Sequence, residues 1–317
     1  MGGLITKEER DRRIGKVLSF IFLFRYVTAK DLNLLGSTLL DVNDMRRTIK
    51  YFLSNKLIKA FDISDPVKTT GFYLTEDGLA KVPKALLEYK YSFWPARYRP
   101  GTFFHDSGVI GAFLGIQNGA TKGRWISEWM IRQDHVKARG RAGRGLGLRH
   151  KSVLRGRLPD GMFVIGQKAR IAVEYEDVRR NVTAWVEIIR DLEYRMKAKV
   201  SIDLPAKDGG TGSDFEAVLF VFGDKATFSI YCKRFDECLK FGKVGGQEIK
   251  EAVNPKRFFF TTLDELKEGK LYRAGGEENS FKELFSFVES DGNPLRGVTG
   301  PGRNPHKTGV DQYTLNF

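Results

Sequence analysis

Between Asp160 and Glu176 the chain reads "DGMFVIGQKARIAVEYE". Two apolar segments flank the polar turn "GQKA", which is the pattern of two antiparallel strands closed by a hairpin. Side chains alternate across a strand with a period of two, so Glu174 and Glu176 share one face and Tyr175 takes the other. Asp160, in Pro159-Asp160-Gly161 at the open end of the hairpin, can lie across the pair and close to both glutamates. Two readings of these acids follow. In the first, three carboxylates in a water-poor site repel one another by several kcal/mol unless a cation neutralises them, and a divalent metal does so. Hard oxygen ligands suit Mg²⁺ or Mn²⁺, and a metal-bound water is activated for attack on phosphorus. In the second, Asp160 caps a turn while the glutamates line an exposed strand face or pair with Arg179 and Arg180.

The segments around the hairpin predict an enclosed sheet. A helix from Asn181 to Lys199 carries Val182, Trp185, Ile189, Leu192 and Met196 on one face and can cover the hairpin. "FEAVLFVFG" reads as a buried strand, another segment follows around Ile230, and "KRFFFTTLDELKEG" supplies a strand and a helix. Upstream, "FFHDSGVIGAFLGIQ" reads as a helix whose Gly108, Gly111 and Gly115 allow another element to approach closely. "GRWISEWMIRQ" reads as a short strand running into a helix that starts near Ser127. Glu128 then lies in the first turn as a possible fourth acid of the site. The stretch after it, "RQDHVKARGRAGRGLGLRHKSVLRGR", is dense in Arg and Gly. Arg139, Arg141 and Arg144 form either a flexible grip on a phosphate backbone or a solvated surface loop.

Ahead of a basic and aromatic connector, "KYSFWPARYRP", lies a different pattern. Ile14, Val17, Leu18, Ile21 and Phe24 make one apolar helical stripe. Thr28 with Asp31 makes an acidic capping box for a second short helix that stops at Gly36. A third helix after Asp41 turns Met45, Ile49, Phe52 and Leu53 inward and projects Arg46, Arg47 and Lys50 outward. "LIKAFDI", "SDPVKTTG" and "FYLTEDGLAKV" then read as two strands around a loop and a closing helix. Three helices followed by such a hairpin resemble the winged helix-turn-helix domains of many DNA-binding proteins. That resemblance implies a third helix in the major groove, with Arg46, Arg47 and Lys50 near phosphates or guanine edges and Lys68 of the wing on the backbone. The alternative is a solvated basic face, or a winged helix that binds protein.

Composition sets the frame for both halves. With 317 residues, 41% of them hydrophobic, the chain can fill two cores. Its net charge of +14 attracts polyanions, nucleic acid being the first expectation and an acidic membrane surface the other. Two cysteines, Cys232 and Cys238, lack the spacing and the partners of a zinc site and read as core thiols of a reduced compartment. The most apolar N-terminal run, "VLSFIFLF", is too short to span a bilayer, and a cytoplasmic protein without membrane insertion is expected. From about Gly275 the composition turns to Gly, Pro, Asn and charge, as in a flexible tail. The expected organisation is a winged domain over residues 1–86, a linker over 87–100, a second domain over 101–274 and a tail over 275–317.

The second domain's order of helix, strands with paired acids, helix and further strands resembles the nuclease core of the PD-(D/E)xK superfamily, a restriction-endonuclease-like α/β core. The whole is then an α+β protein. In that resemblance Asp160 and Glu174 bind metal, and Glu176 stands where the family usually has lysine. A narrower resemblance rests on the order of His105, Trp125, Ser127, Glu128, Pro159, Asp160, Gly161, Glu174 and Glu176, which is similar to the replication-relaxation family and MobC-type plasmid mobilisation relaxases. It implies a relaxase that recognises an origin of transfer or replication on duplex DNA, with accessory mobilisation or replication proteins, and nicks one strand with Mg²⁺ or Mn²⁺. Asp160, Glu174, Glu176 and Glu128 are then the catalytic acids, the first three also metal ligands. The four histidines, His105, His135, His150 and His306, lack the close spacing of a histidine-held metal, so water-mediated hydrolysis fits better, although a tyrosine such as Tyr194 stays open as nucleophile. Two other classes fit the same residues. One is a non-catalytic DNA-binding replication or transcription regulator with a degenerate nuclease fold; the other is a repair or restriction-type endonuclease.

Overall fold

Thr6 opens the first helix: its hydroxyl oxygen accepts the Glu9 N–H at 3.2 Å, and Glu8 and Glu9 set negative charge against the positive end of the helix dipole. The computed structural model describes residues 6–40, 42, 45–87, 89–91, 100–119, 123–133, 158–165, 169–197, 215–244, 247–248, 253–273, 277–281 and 283–285. Helix α1 (Lys7–Phe24) is followed by β1 (Val27–Thr28), α2 (Ala29–Leu35) and a π-helical turn over Gly36–Leu40. Next come α3 (Arg46–Ser54), β2 (Ile58–Ile63), β3 (Thr69–Leu74) and α4 (Glu76–Leu79). Thr28 and Asp31 form the capping box reciprocally. The Thr28 hydroxyl accepts the Asp31 N–H at 3.2 Å, and the Asp31 carboxylate accepts the Thr28 N–H at 2.8 Å. The α-helical part of α2 ends at Gly36 as its sequence requires, but the chain continues in the π-helical turn. The three strands pair antiparallel in the order β1-β3-β2, with Val27 opposite Phe72 and Ile58 opposite Leu74.

Residues 16–23 of α1 are buried all round, which a single apolar stripe does not predict. The cover on the second side is α5 (Phe103–Gly119), whose Phe113 ring lies 5.8 Å from Phe20 and 5.3 Å from Phe24. Tyr26 donates to the Asp106 carboxylate at 2.8 Å. Tyr91 fastens the start of the connector, donating to the Arg25 carbonyl at 2.8 Å, accepting the Leu74 N–H at 3.2 Å and stacking on Phe22. The chain divides into one compact unit that runs to Asn118 and a second from Gly119 onward. The boundary therefore falls after α5, and not in the connector over 87–100. The helix that the sequence assigns to the second domain completes the core of the first.

The second unit holds β4 (Arg124–Ser127), a helical stretch over 128–133 (α6), β5 (Gly161–Ile165), β6 (Ala169–Glu176), α7 (Val182–Lys197), β7 (Ala217–Phe222) and α8 (Lys225–Phe241). A small hairpin of β8 (Lys243–Val244) and β9 (Gln247–Glu248) precedes β10 (Phe258–Thr262), α9 (Leu263–Lys267), β11 (Lys270–Arg273) and β12 (Glu278–Ser280). Seven of these strands form one mixed sheet in the order β12-β11-β10-β7-β6-β5-β4. β6 runs parallel to β7 and β7 to β10, while the outer pairs are antiparallel. Every residue of β7 and β10 is buried, as expected where helical crossovers cover parallel strands. Trp185 of α7 meets Phe220 at 5.0 Å and Tyr231 of α8 at 4.5 Å, and Phe235 of α8 meets both Phe258 and Phe260 at 5.0 Å. On the other face Phe285 stacks on Phe163 at 6.0 Å, and Phe281 and Leu284 are buried. The flexible tail expected from Gly275 is not seen among the described residues after it: Glu278–Ser280 pairs with β11, and Phe281, Leu284 and Phe285 are packed. Residues 286–317 lie outside the described residues.

The glycine of Pro159-Asp160-Gly161 opens β5 and is a packing residue, because a Cβ there would meet the Trp125 ring. Gly161→Ala is expected to cost about 1–3 kcal/mol through overpacking. Urea unfolding followed by tryptophan fluorescence checks this, and an unchanged midpoint would contradict it.

Candidate active site

The hairpin carries its three acids to different surroundings. β5 and β6 are antiparallel with Gly161 opposite Val173, so Asp160 stands just beyond the paired residues, level with Glu174. Pro159 is buried and Asp160 half-buried. One Asp160 carboxylate oxygen accepts the Tyr175 N–H at 2.8 Å, and its carbonyl accepts the Glu128 N–H at 3.2 Å. Asp160 thereby ties the first turn of α6 to the end of β6. Glu174 and Glu176 alternate onto the face beneath α7 and α8, level with Phe220 and Phe222 of β7, and both are fully buried. An exposed strand face is thus not where the glutamates lie.

Burying a carboxylate costs several kcal/mol unless a cation or hydrogen bonds replace the lost water. Glu176 is served by Arg180, whose Nε donates to it at 2.6 Å, one of the arginine pairings that stood as the alternative to metal binding. Tyr231 and Arg234 of α8 complete this neighbourhood. The Tyr231 hydroxyl accepts the Arg180 N–H at 2.8 Å, and the Arg234 guanidinium donates to the Arg180 carbonyl at 2.9 Å while lying 5.6 Å from the Tyr231 ring centre. Burial, with the Glu176 charge adding to it, pushes the Tyr231 phenol up, against the pull of the Arg180 hydrogen bond and the two arginine charges. Neither Tyr231 nor Arg234 was legible beforehand, because both reach the site from a helix far along the chain.

Glu128 is 44% exposed and pairs with Arg132 on its own helix. Among the described residues, no group of three or more His, Cys, Asp or Glu side chains is placed to hold a metal ion. Asp160, just ahead of β5, and Glu174 of β6 stand level with each other, and their oxygens have the chemistry for a hard divalent ion. Glu176 is instead engaged by Arg180, and Glu128 by Arg132. His105 lies half-buried in the first turn of α5, in the first unit, while Trp125 and Ser127 are buried in β4. His135, His150 and His306 and the side chain of Tyr194 lie outside the described residues. Both cysteines are free thiols on α8, and burial pushes Cys232 up to about 12 and Cys238 up to about 11. They are protonated and inert at neutral pH.

In the first unit, Met45 and Phe52 of α3 point into the core, Ile49 is half-buried, and Arg46, Arg47 and Lys50 are exposed. Leu53 departs from the expected inward set at 39% exposed, and Tyr51 stands 45% exposed one helical turn from Arg47. A shared face of Arg47, Lys50 and Tyr51 follows from their three- and four-residue spacing. Lys68 is exposed in the loop between β2 and β3. Arg139, Arg141 and Arg144 lie outside the described residues. No described helix is long and apolar enough to cross a membrane.

Compared with known proteins, the chain matches no family model, no curated protein and no solved structure.

Tyr175, beside Asp160 and Glu174, is 5% exposed, and burial, aided by the charges of Asp177 and Asp224, pushes its phenol from 10.0 up to about 12. The folded protein holds this proton to higher pH than the unfolded chain does, so the associated stability is present below pH 10 and lost as pH rises toward about 12. Urea midpoints are expected to fall across that window, and Tyr175→Phe to flatten the fall. It will not abolish it, because burial raises Tyr91 and Tyr231 as well. A Tyr175→Phe profile that superimposes on the parent would contradict the assignment.

Proposed function

We propose that this chain binds duplex DNA and nicks one strand with the help of Mg²⁺ or Mn²⁺, acting as a relaxase at an origin of transfer or replication. The observation that carries the reading is that Asp160, just ahead of β5, stands level with the buried Glu174 of the adjacent strand β6. The order β4-β5-β6-α7-β7, with β6 parallel to β7, supports a PD-(D/E)xK-like core. The order α1-β1-α2-α3-β2-β3, with a basic exposed α3, supports a winged helix. Asp160 and Glu174 are the residues that would hold the ion, which when bound supplies Lewis-acid polarisation and a more acidic water. The chain's own groups bind and orient the strand: Arg46, Arg47 and Lys50 on α3 and Lys68 between the wing strands, with Arg139, Arg141 and Arg144 as further phosphate contacts. Tyr175, neutral at physiological pH, is not primed as a nucleophile, which favours water.

A second reading, a DNA-binding replication or transcription regulator without catalysis, is favoured by the Arg180 pairing of Glu176 and by the Tyr175 N–H on Asp160. Both interactions occupy acid oxygens with structural partners. Conversion of supercoiled plasmid carrying the cognate origin to open circle, with Mg²⁺ or Mn²⁺, separates the two. The parent is expected to nick, EDTA to stop it, and Asp160→Ala to lose nicking by at least about a hundredfold while still binding DNA. Equal DNA binding by both proteins with no nicking by either would leave the regulator.

A further inference from the structure

We propose that Arg180 is an anchor for a DNA phosphodiester, aimed by Glu176 and seconded by Arg234; this rests on the nucleic-acid reading above. Arg180 is restrained at three points. Its N–H donates to Tyr231, its carbonyl accepts from Arg234, and its Nε donates to Glu176. Its side chain is nevertheless 31% exposed, while that of Glu176 is 0% exposed. A guanidinium is a planar fork with five N–H donors, and the Nε contact with Glu176 leaves the fork's remaining donors to meet a second anion.

Charge points the same way. Within this neighbourhood Arg180 and Arg234 lie beside Glu176, and the phenol of Tyr231 feels all three charges. Arg180 also precedes Asn181, whose side chain caps α7 by accepting the Ala184 N–H at 2.8 Å. The positive end of a sixteen-residue helix therefore adds to the field. Arg179 and Val178 are exposed beside it, so a backbone phosphate has access. Glu176 then acts as a positioning residue and not as a metal ligand: its buried charge fixes the guanidinium in one rotamer, which lowers the entropy lost when a phosphate binds.

The test compares full-length parent, Arg180→Met, Arg180→Lys and the control Lys267→Met, which removes one exposed charge on α9. Binding to a duplex with a single-stranded segment is measured in EDTA across a salt series, with thermal unfolding and plasmid nicking in parallel. Arg180→Met is expected to bind about tenfold more weakly and to lose about one unit of the salt slope. Arg180→Lys keeps the charge that offsets Glu176, and with it the fold; it is expected to retain the slope and lose affinity severalfold, because an ammonium lacks the fork. In a Glu176→Gln background, where no buried carboxylate needs offsetting, Arg180→Met is still expected to weaken binding, though by less, whereas a purely structural Arg180 would show no loss there. If Arg180→Met does not fold, the Arg180→Lys affinity and the effect of Glu176→Gln on it decide the matter. Parent-like affinity and slope in the folded Arg180 variants, or losses matched by Lys267→Met, overturn the anchor even when the parent nicks. Loss of binding in Arg180→Met without nicking by any protein overturns the nicking reading and keeps the anchor. A parent that binds no DNA overturns both.

Discussion

Enclosure of the central strands governs the second unit. β7 and β10 bury every residue, with α7 and α8 packed over one face through Trp185 on Phe220 and Phe235 on Phe258. β6 joins this interior as a parallel neighbour of β7, so whatever alternates onto the α7 and α8 face of β6 goes inside. Glu174 and Glu176 do so, and two carboxylates enter a core otherwise made of Trp185, Phe220, Phe222 and Tyr231. Such placement opposes the hydrophobic driving force, and a chain keeps it where a cation or a chemical task compensates. For Glu176 the compensation is visible in Arg180, and the local network of Tyr231 and Arg234 is built around that arginine.

The first unit solves a simpler problem. Its two long helices, α1 and α5, supply many of the buried apolar side chains, and the second half of α1 is surrounded once α5 is laid against Phe20 and Phe24. That leaves α3 with one buried side and a basic outer face. The helix is held from within by Met45 and Phe52, and its charges remain in water, where Coulomb attraction to a polyanion works at long range and weakens with salt. The exposed Tyr51 on this face had no sequence signature, since an aromatic at that spacing is as easily a core residue.

Much of the local structure was legible because it depends on neighbours in sequence. The Thr28 and Asp31 cap, the antiparallel pairing of β5 with β6, the apolar run of β7 and the stripe of α7 are all set by periodicity or by contacts a few residues apart. Errors arose where an element's partner lay far off. α5 was assigned to the wrong domain because its apolar residues do not say which core they fill. Glu278–Ser280 was read as tail because it is unremarkable until β11 offers it an edge. Leu53 was turned inward by helical spacing, yet the short α3 leaves it at the rim.

The sequence by itself determined the period-two alternation that sends Glu174 and Glu176 to one side of a strand, a property of a local backbone geometry with fixed repeat. Only the tertiary structure decided that this side is the interior, and that Asp160 meets Tyr175 and Glu128. It alone also decided that Arg234 and Tyr231 arrive from α8 to hold Arg180. Burial and long-range hydrogen bonds depend on which surfaces the whole chain brings together, and no window of neighbouring residues contains that information.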